Sequence, residues 1–557
     1  MEQLLLQQLL KKNLLQEKYS LLFLYLFACA KEGHLSAYID TQSISPSFQE
    51  IGQKEGFFQE AVLQSIASSF PQTPPSLAPT QAICRSGNFF YLQRFFVEEK
   101  KLVEALDIHI QSWQGSKIDP NILENQLKRE QVYLTEEQKQ AIFQGCTQPF
   151  FLLTGGPGTG KTYTAARLIQ YLFDGLPESQ RTSFSIRIAA PTGKAAIQLK
   201  RALETTFSPP HLSMDIQATT LHQLLHLSPY SSKKPSSLFA DLVIVDESSM
   251  IDTSLMSILL QSLKANSQLI LIGDPYQLPS VEGGTPFLDF TKQPMLPKTH
   301  LSHCKRVESA SLLSFTSSFG KGNIEEAMQS LKLGHHPELR LYPASLSLQE
   351  LLLQLSNRFC CSLQKEPDSD MALHSFDTFR LLSPLRRGTQ GTIAINQFLR
   401  QKLQSKWAPW NIFPILITEN HYEQQLFNGE GGVFVQETAT GNGYALFPSK
   451  TSDTRPRKLP ILLLPPHEIA YCLSVHKAQG SEFEEICLLL PEKCEMISQE
   501  CIYTAVTRAK KSLSLFDPHQ RISSRLPLLK NRSSSLQERL KILEPVLQIF
   551  SYPGALD

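Results

Sequence analysis

Residues 152–164 read Leu-Leu-Thr-Gly-Gly-Pro-Gly-Thr-Gly-Lys-Thr-Tyr-Thr, and this run constrains the fold more than any other in the chain. Gly155, Gly160, Lys161 and Thr162 fit the spacing G-x-x-x-x-G-K-[ST]. An apolar strand at 149–153 leads into the run, and a helix over 162–173 follows it. Glycine lets the backbone curl until successive N–H groups face a phosphate, and the helix N-terminus adds partial positive charge. The loop Gly155, Gly156, Pro157, Gly158, Thr159 and Gly160 would then wrap the phosphates. Lys161 would reach the β- and γ-phosphates, and the Thr162 hydroxyl would hold Mg²⁺. The chain is therefore expected to bind a nucleoside triphosphate on an α/β scaffold.

From residue 134 to about 298 the pattern repeats as strand, loop and helix. Apolar strands are read at 150–153, 186–190, 242–245 and 269–272, which predicts a parallel sheet covered on both faces. Ser228–Ser237 reads as a polar excursion, a loop or small hairpin. Residues 1–115 are rich in Leu and Gln and mostly of helical period, with Leu6, Leu9, Leu10 and Leu14 on one helix face. This stretch carries no chemistry and reads as a packing or docking domain. A second α/β region begins near 301. Inside it, residues 405–470 change to short β-rich runs around Asn428-Gly429 and Gly441-Asn442-Gly443, as in hairpins. The expected division is a helical domain over 1–115, an ATPase domain over 116–300 and a second α/β domain over 301–557, with a β-rich insert near 405–470.

A net charge of +1 gives no global basic field, so any nucleic acid must be held in a local groove. The ten cysteines form no C-x-x-C pair and no zinc-finger spacing, and they read as reduced core thiols. The most apolar N-terminal stretch, 21–30, is too short to span a bilayer and lacks the flanks of a signal peptide. The expectation is a cytoplasmic protein with no membrane partner.

The run at 242–247 is an apolar strand ending in Asp246 and Glu247. Acids at the tip of a buried strand that faces a phosphate loop supply what hydrolysis requires. Asp246 would hold Mg²⁺, and Glu247 would orient and deprotonate the attacking water. After the next apolar strand, Gln277 is an amide able to touch both γ-phosphate and water. Together with the stretches at 189–196, 220–225, 475–483 and 503–509, these pieces resemble a superfamily 1 DNA helicase in motif order, over about residues 130–515. Within that superfamily, residues 91–96, 382–388 and 427–430 resemble the RecD family, the alpha subunits of exodeoxyribonuclease V.

The resemblance implies two RecA-like motor domains with ATP and Mg²⁺ between them, a helical N-terminal domain and an SH3-like insert. It implies that Gln138 reads the adenine edge and that Arg508 crosses the cleft to the γ-phosphate. Arg306 would be a second such arginine, although Lys305 stands before it where the family usually has an aromatic. Thr192, Lys194, Thr220, His222, His476 and Lys477 would contact DNA, with types that suit sugar–phosphate contact more than base reading. Further implications are 5′-to-3′ movement, single-stranded and duplex-end DNA as substrates, and RecB-like and RecC-like partners, with the nuclease on the beta chain. Glu98-Glu99-Lys100 holds an E-x-K, but it lies in a helical stretch with no strand carboxylate before it, so it reads as structural. A GTPase would show N-K-x-D, which is absent, and a small-molecule kinase has no use for the stretches at 476–480 and 503–508. A vestigial ATPase is disfavoured because every catalytic position named carries a competent residue. A helicase acting without partners stays open.

Overall fold

The structure is a computed structural model. It describes residues 2–543 apart from 53–57, 75–80, 130–133, 207–214, 228–236, 305–309, 333–335, 360–372, 407–409, 450–455, 493–496, 523–531 and a few single positions. The polar excursion expected at Ser228–Ser237 falls almost wholly outside the described residues.

A six-stranded parallel sheet forms the core of the first α/β domain. Its order is Lys298–Leu301, Phe150–Gly155, Gln268–Gly273, Leu242–Val245, Ser185–Ala190 and Asp215–Thr220. Alternate residues of each central strand serve opposite faces. Leu152, Val243 and Leu271 point into one core, while Phe151, Ile244 and Ile270 point into the other. Both cores exclude water, which is why these strands read as unbroken apolar runs. Helices Glu136–Thr147 and Lys161–Gly175 cover one face through Ile142, Leu168 and Leu172.

The opposite face is covered partly from outside residues 116–300. Leu102, Leu106 and Ile110 of helix Gln93–Gln111 join it, as do Leu536, Leu540 and Leu543 near the C-terminus. Glu99 of the E-x-K run is fully buried there. It pairs with Arg539 at 3.0 Å and accepts a hydrogen bond from Tyr91, so it is a structural carboxylate. The N-terminal region contains, beside its helices, a four-stranded antiparallel sheet of Ile44–Ser45, Ser36–Ile39, Phe89–Leu92 and Ile83–Ser86. Helical period alone did not reveal it, because these strands are only two to four residues long.

The second parallel sheet runs Leu339–Leu341, Ala509–Phe516, Phe483–Leu489, Phe379–Ser383 and Cys472–Ser474. Between its strands Phe379–Ser383 and Cys472–Ser474, a five-stranded antiparallel sheet spans Trp410 to Ile469. Val433 and Phe447 of that sheet share one core with Leu381 and Cys487 of the parallel one. Among the described residues, no helix is long and apolar enough to cross a membrane.

Candidate active site and nucleic-acid interface

The phosphate-loop run forms the turn its glycines require. Gly158 and Gly160 lie at φ +76° and +88°, a region that side chains rarely adopt. Helix Lys161–Gly175 then starts with its N-terminal N–H groups toward the loop. Lys161 Nζ donates to the carbonyls of Gly155 (2.8 Å) and Gly156 (2.9 Å), and Thr162 is the second residue of the helix. Gln138 is buried at the start of helix Glu136–Thr147, where it completes a capping box. Its Oε1 accepts from Thr135 N–H at 3.1 Å, and its backbone N–H donates to Thr135 Oγ1 at 3.2 Å. The Gln138 amide nitrogen lies 3.1 Å from where a Cβ on Gly160 would stand, so this side chain backs the loop.

Asp246 and Glu247 follow directly on strand Leu242–Val245. Burial, then the neighbouring charge of Glu247, holds the Asp246 carboxyl well above the usual carboxylate range; Lys161 pulls weakly the other way. Glu247 sits at φ +52°, and its N–H donates to Asp246 Oδ1 at 2.8 Å. A non-glycine residue held left-handed at a strand tip is strained, and such strain concentrates at functional sites. A hydroxyl such as that of Thr162 and a carboxylate such as that of Asp246 are hard-oxygen donors of the kind Mg²⁺ prefers.

Across the interdomain gap, Arg508 is almost wholly buried. It donates from Nε to Thr504 O at 3.0 Å and from its terminal nitrogens to Ser481 O and Thr507 Oγ1, each at 3.3 Å. Burial lowers its pKa, while Glu247, Asp274 and Tyr503 act in the opposite direction. A cleft of about 270 Å³ is lined by Gly156, Pro157 and Thr159 on one side and by Tyr503, Thr507 and Arg508 on the other. Of Lys161, Asp246, Glu247 and Arg508 only Arg508 lines this cleft, but the charges of Lys161 and Glu247 act on Asp246, and that of Glu247 acts on Arg508, so the four share one electrostatic neighbourhood. Gln277 lies beside the cleft and not in its lining. Its Nε2 donates to Asp274 Oδ2 at 3.3 Å, and it borders a separate cavity with Pro279 and Phe287. Arg306 lies outside the described residues.

The six residues assigned to DNA come from separate stretches and both parallel-sheet domains, yet Thr192, Lys194, Thr220, His222, His476 and Lys477 all line one cavity of about 260 Å³. Thr220 caps its own short helix, accepting from Gln223 N–H at 3.3 Å. Lys194 Nζ donates to Ser481 Oγ at 2.8 Å, and Lys477 pairs with Glu468 at 2.7 Å. Burial lowers the pKa of His476. The antiparallel insert supplies Asn420, Asn428 and Gly429 to the same cavity. A Cβ at Gly193 would lie 2.9 Å from that of Phe427, so the turn at 427–430 packs directly against the first parallel-sheet domain.

Sequence reasoning did not single out the residues that join the two cavities. Tyr503 donates from its hydroxyl to Asp274 Oδ2 at 3.0 Å. Leu278 N–H donates to Thr504 Oγ1 at 2.7 Å, and Gln479 Nε2 donates to Leu278 O at 3.1 Å. Gln479 also lines the second cavity. The segment after strand Gln268–Gly273 is therefore bonded to the far domain at both cavities. The available signal was residue type, since each of these polar side chains lies inside a stretch already noted.

The sequence agrees with this geometry. A family described as an AAA domain matches residues 133–336, and one described as a UvrD-like helicase C-terminal domain matches residues 469–516. The RecBCD enzyme subunit RecD of Mycolicibacterium smegmatis is 29% identical over 506 residues, covering 86% of this chain and 87% of that one. The RecBCD enzyme subunit RecD of Mycobacterium tuberculosis strain H37Rv is 30% identical over 445 residues, covering 73% of each. The ATP-dependent RecD2 DNA helicase of Deinococcus radiodurans is 28% identical over 391 residues, covering 68% of this chain and 48% of that helicase. With a phosphate-loop cleft between two parallel-sheet domains, and with 30% identity across 73% of both sequences, the chain belongs to the RecD family of RecBCD enzyme subunits.

Proposed function

We propose that the chain is an ATP-dependent DNA helicase that moves 5′ to 3′ as a subunit of a helicase–nuclease complex, processing double-strand DNA ends for recombinational repair in the cytoplasm. The observation that carries this reading is one segment, Gly273 to Ser280, hydrogen-bonded to the second domain at the phosphate-loop cleft and again at the cavity of the six assigned residues. A rearrangement at either cavity must pull on the other through it.

Lys161 and the loop N–H groups hold the β- and γ-phosphates, and Gln138 sets the edge of the adenine site from behind the loop. Thr162 and Asp246 would hold Mg²⁺, which supplies charge neutralisation on the phosphate oxygens when bound. Glu247 accepts the proton of the water whose oxygen attacks the γ-phosphorus in line, and ADP leaves with the bond electrons. Arg508 from the second domain, with Arg306, balances the charge that develops, a contribution worth about 10³–10⁵ in rate where it has been measured in related chemistry. Gln277 is the polar neighbour that senses the γ-phosphate. Thr192, Lys194, Thr220, His222, His476 and Lys477 grip the sugar–phosphate backbone, as a motor indifferent to sequence requires. The N-terminal domain docks a RecC-like gamma chain, and a RecB-like beta chain carries the nuclease.

The direct test is the ATPase rate with and without single-stranded DNA, for the native chain and for Lys161→Gln. DNA should stimulate the native chain strongly, and the variant should lose about a hundredfold or more. A rate indifferent to DNA, alone and with the partner chains, would return the chain to the general phosphate-loop class.

A further inference from the structure

The segment that joins the two cavities continues to Gly284, and its second half is held by a residue from the far end of the chain. One terminal nitrogen of the Arg532 guanidinium donates to the carbonyls of Ser280 (2.8 Å), Glu282 (2.9 Å) and Gly284 (3.3 Å). The space for that guanidinium exists because residue 33 is glycine. A Cβ there would lie 2.6 Å from the Arg532 guanidinium carbon, and Gly33 stands at φ +84°. Gly33 also accepts from Gly284 N–H at 3.0 Å. The next residue continues the clamp: Ser533 O accepts from the N–H groups of Leu35 and Ser36, and Ser533 N–H donates to His34 Nδ1 at 2.9 Å. Beyond it, the Ser535, Leu536 and Arg539 side chains are anchored on Glu99 and in the core of the first sheet. Burial lowers the pKa of Arg532; the carboxylates of Glu500, on the second motor domain, and Glu32 oppose that.

We propose that Arg532 is a positioning residue for DNA-coupled ATP hydrolysis. It fixes residues 280–284, and so sets the register in which residues 274–278 meet Tyr503, Thr504 and Gln479. Carbonyls of an otherwise irregular stretch converge on a fixed cation, which gives shorter and stronger bonds than neutral donors would. Without that cation residues 280–282 lose their side-chain anchor, and the stretch is held only at its end, where Gly283 O accepts from Thr253 N–H at 3.3 Å and Gly284 N–H donates to Gly33 O at 3.0 Å. The N-terminal region, through Gly33 and the Ser533 contacts, is thereby tied to the turnover step and not only to docking. This inference rests on the motor reading above.

The test uses the full chain, ATP and oligo(dT) as the DNA probe. In Arg532→Ala, kcat with DNA should fall about tenfold, while KM for ATP and the rate without DNA stay at native values. Free guanidinium ion at low millimolar concentration should restore part of the loss. Arg532→Lys keeps the charge and the buried stem, and its ammonium offers three donors to the three carbonyls that a single guanidinium nitrogen serves, so it should keep most of the stimulation that Arg532→Ala loses. A native chain that DNA does not stimulate removes the motor reading and this inference together. A stimulated native chain whose Arg532→Ala variant keeps the full ratio or loses both rates in step, or whose Arg532→Lys variant fails as Arg532→Ala does, overturns this inference alone.

Discussion

Two acids show at the residue scale how position decides role. Glu247 is held left-handed at the tip of its strand, a conformation glycine adopts without strain. Glu247→Gly should therefore raise stability by about 1 kcal/mol while lowering ATP turnover at least about a hundredfold. Denaturant melts beside ATPase rates check this, and a variant that loses both stability and turnover would mean the backbone there is not strained. Asp289 is wholly structural. It accepts from Ser534 Oγ at 3.1 Å and from Gln537 Nε2 at 3.3 Å, and burial pushes its carboxyl up to about 7. The folded value lies above the unfolded one of about 3.9, so its contribution is complete in acid and is lost as pH rises toward 7. Asp289→Asn should flatten the melting temperature between about pH 5 and 8, and melt above the native chain at the upper end. Parallel curves for the two proteins would contradict that.

Legibility in the sequence follows burial at the scale of elements. The four strands at 150–153, 186–190, 242–245 and 269–272 were readable because the central strands are apolar on both faces. Strand Asp215–Thr220 is polar at four of its six positions and sits at a sheet edge, as does Lys298–Leu301, so neither stands out as an apolar run. The phosphate-loop turn, and the placing of Asp246, Glu247 and Arg508 near one another, could be anticipated because these residues lie in short local motifs. The Asp274–Tyr503 and Leu278–Thr504 bonds were not, because they exist only once two distant segments pack. The same holds for the C-terminal turn Leu536–Leu540, which is five residues long and carries no motif. Yet Leu536 is fully buried in the core of the first sheet. Leu536→Ala should cost about 2–5 kcal/mol and destabilise the first motor domain, although it lies at the other end of the sequence. Chemical denaturation followed by hydrogen exchange on strands 242–245 and 268–273 reads this, and unchanged protection there would show the segment to be peripheral.

The whole molecule holds two parallel-sheet domains, and three segments among the described residues help to bridge them. The strand-end segment 273–284 links cleft to cavity, the insert at 427–430 packs across onto Gly193, and the C-terminal segment returns to the first domain and the N-terminal region. Closing the cleft therefore bears on the cavity that Gln479 lines, because Thr504 and Gln479 bond the backbone N–H and O of one residue, Leu278. That coupling is the central claim, and strand separation tests it most directly. The measurement is ATP-driven unwinding of a duplex carrying a 5′ single-stranded tail, beside one with a 3′ tail, by the native chain and Lys161→Gln, alone and with beta and gamma chains. The account predicts that the native chain opens the 5′-tailed duplex only with ATP, that the 3′-tailed duplex stays closed to it when alone, and that the variant opens neither. ATP hydrolysis without unwinding of the 5′-tailed duplex in any combination would contradict it.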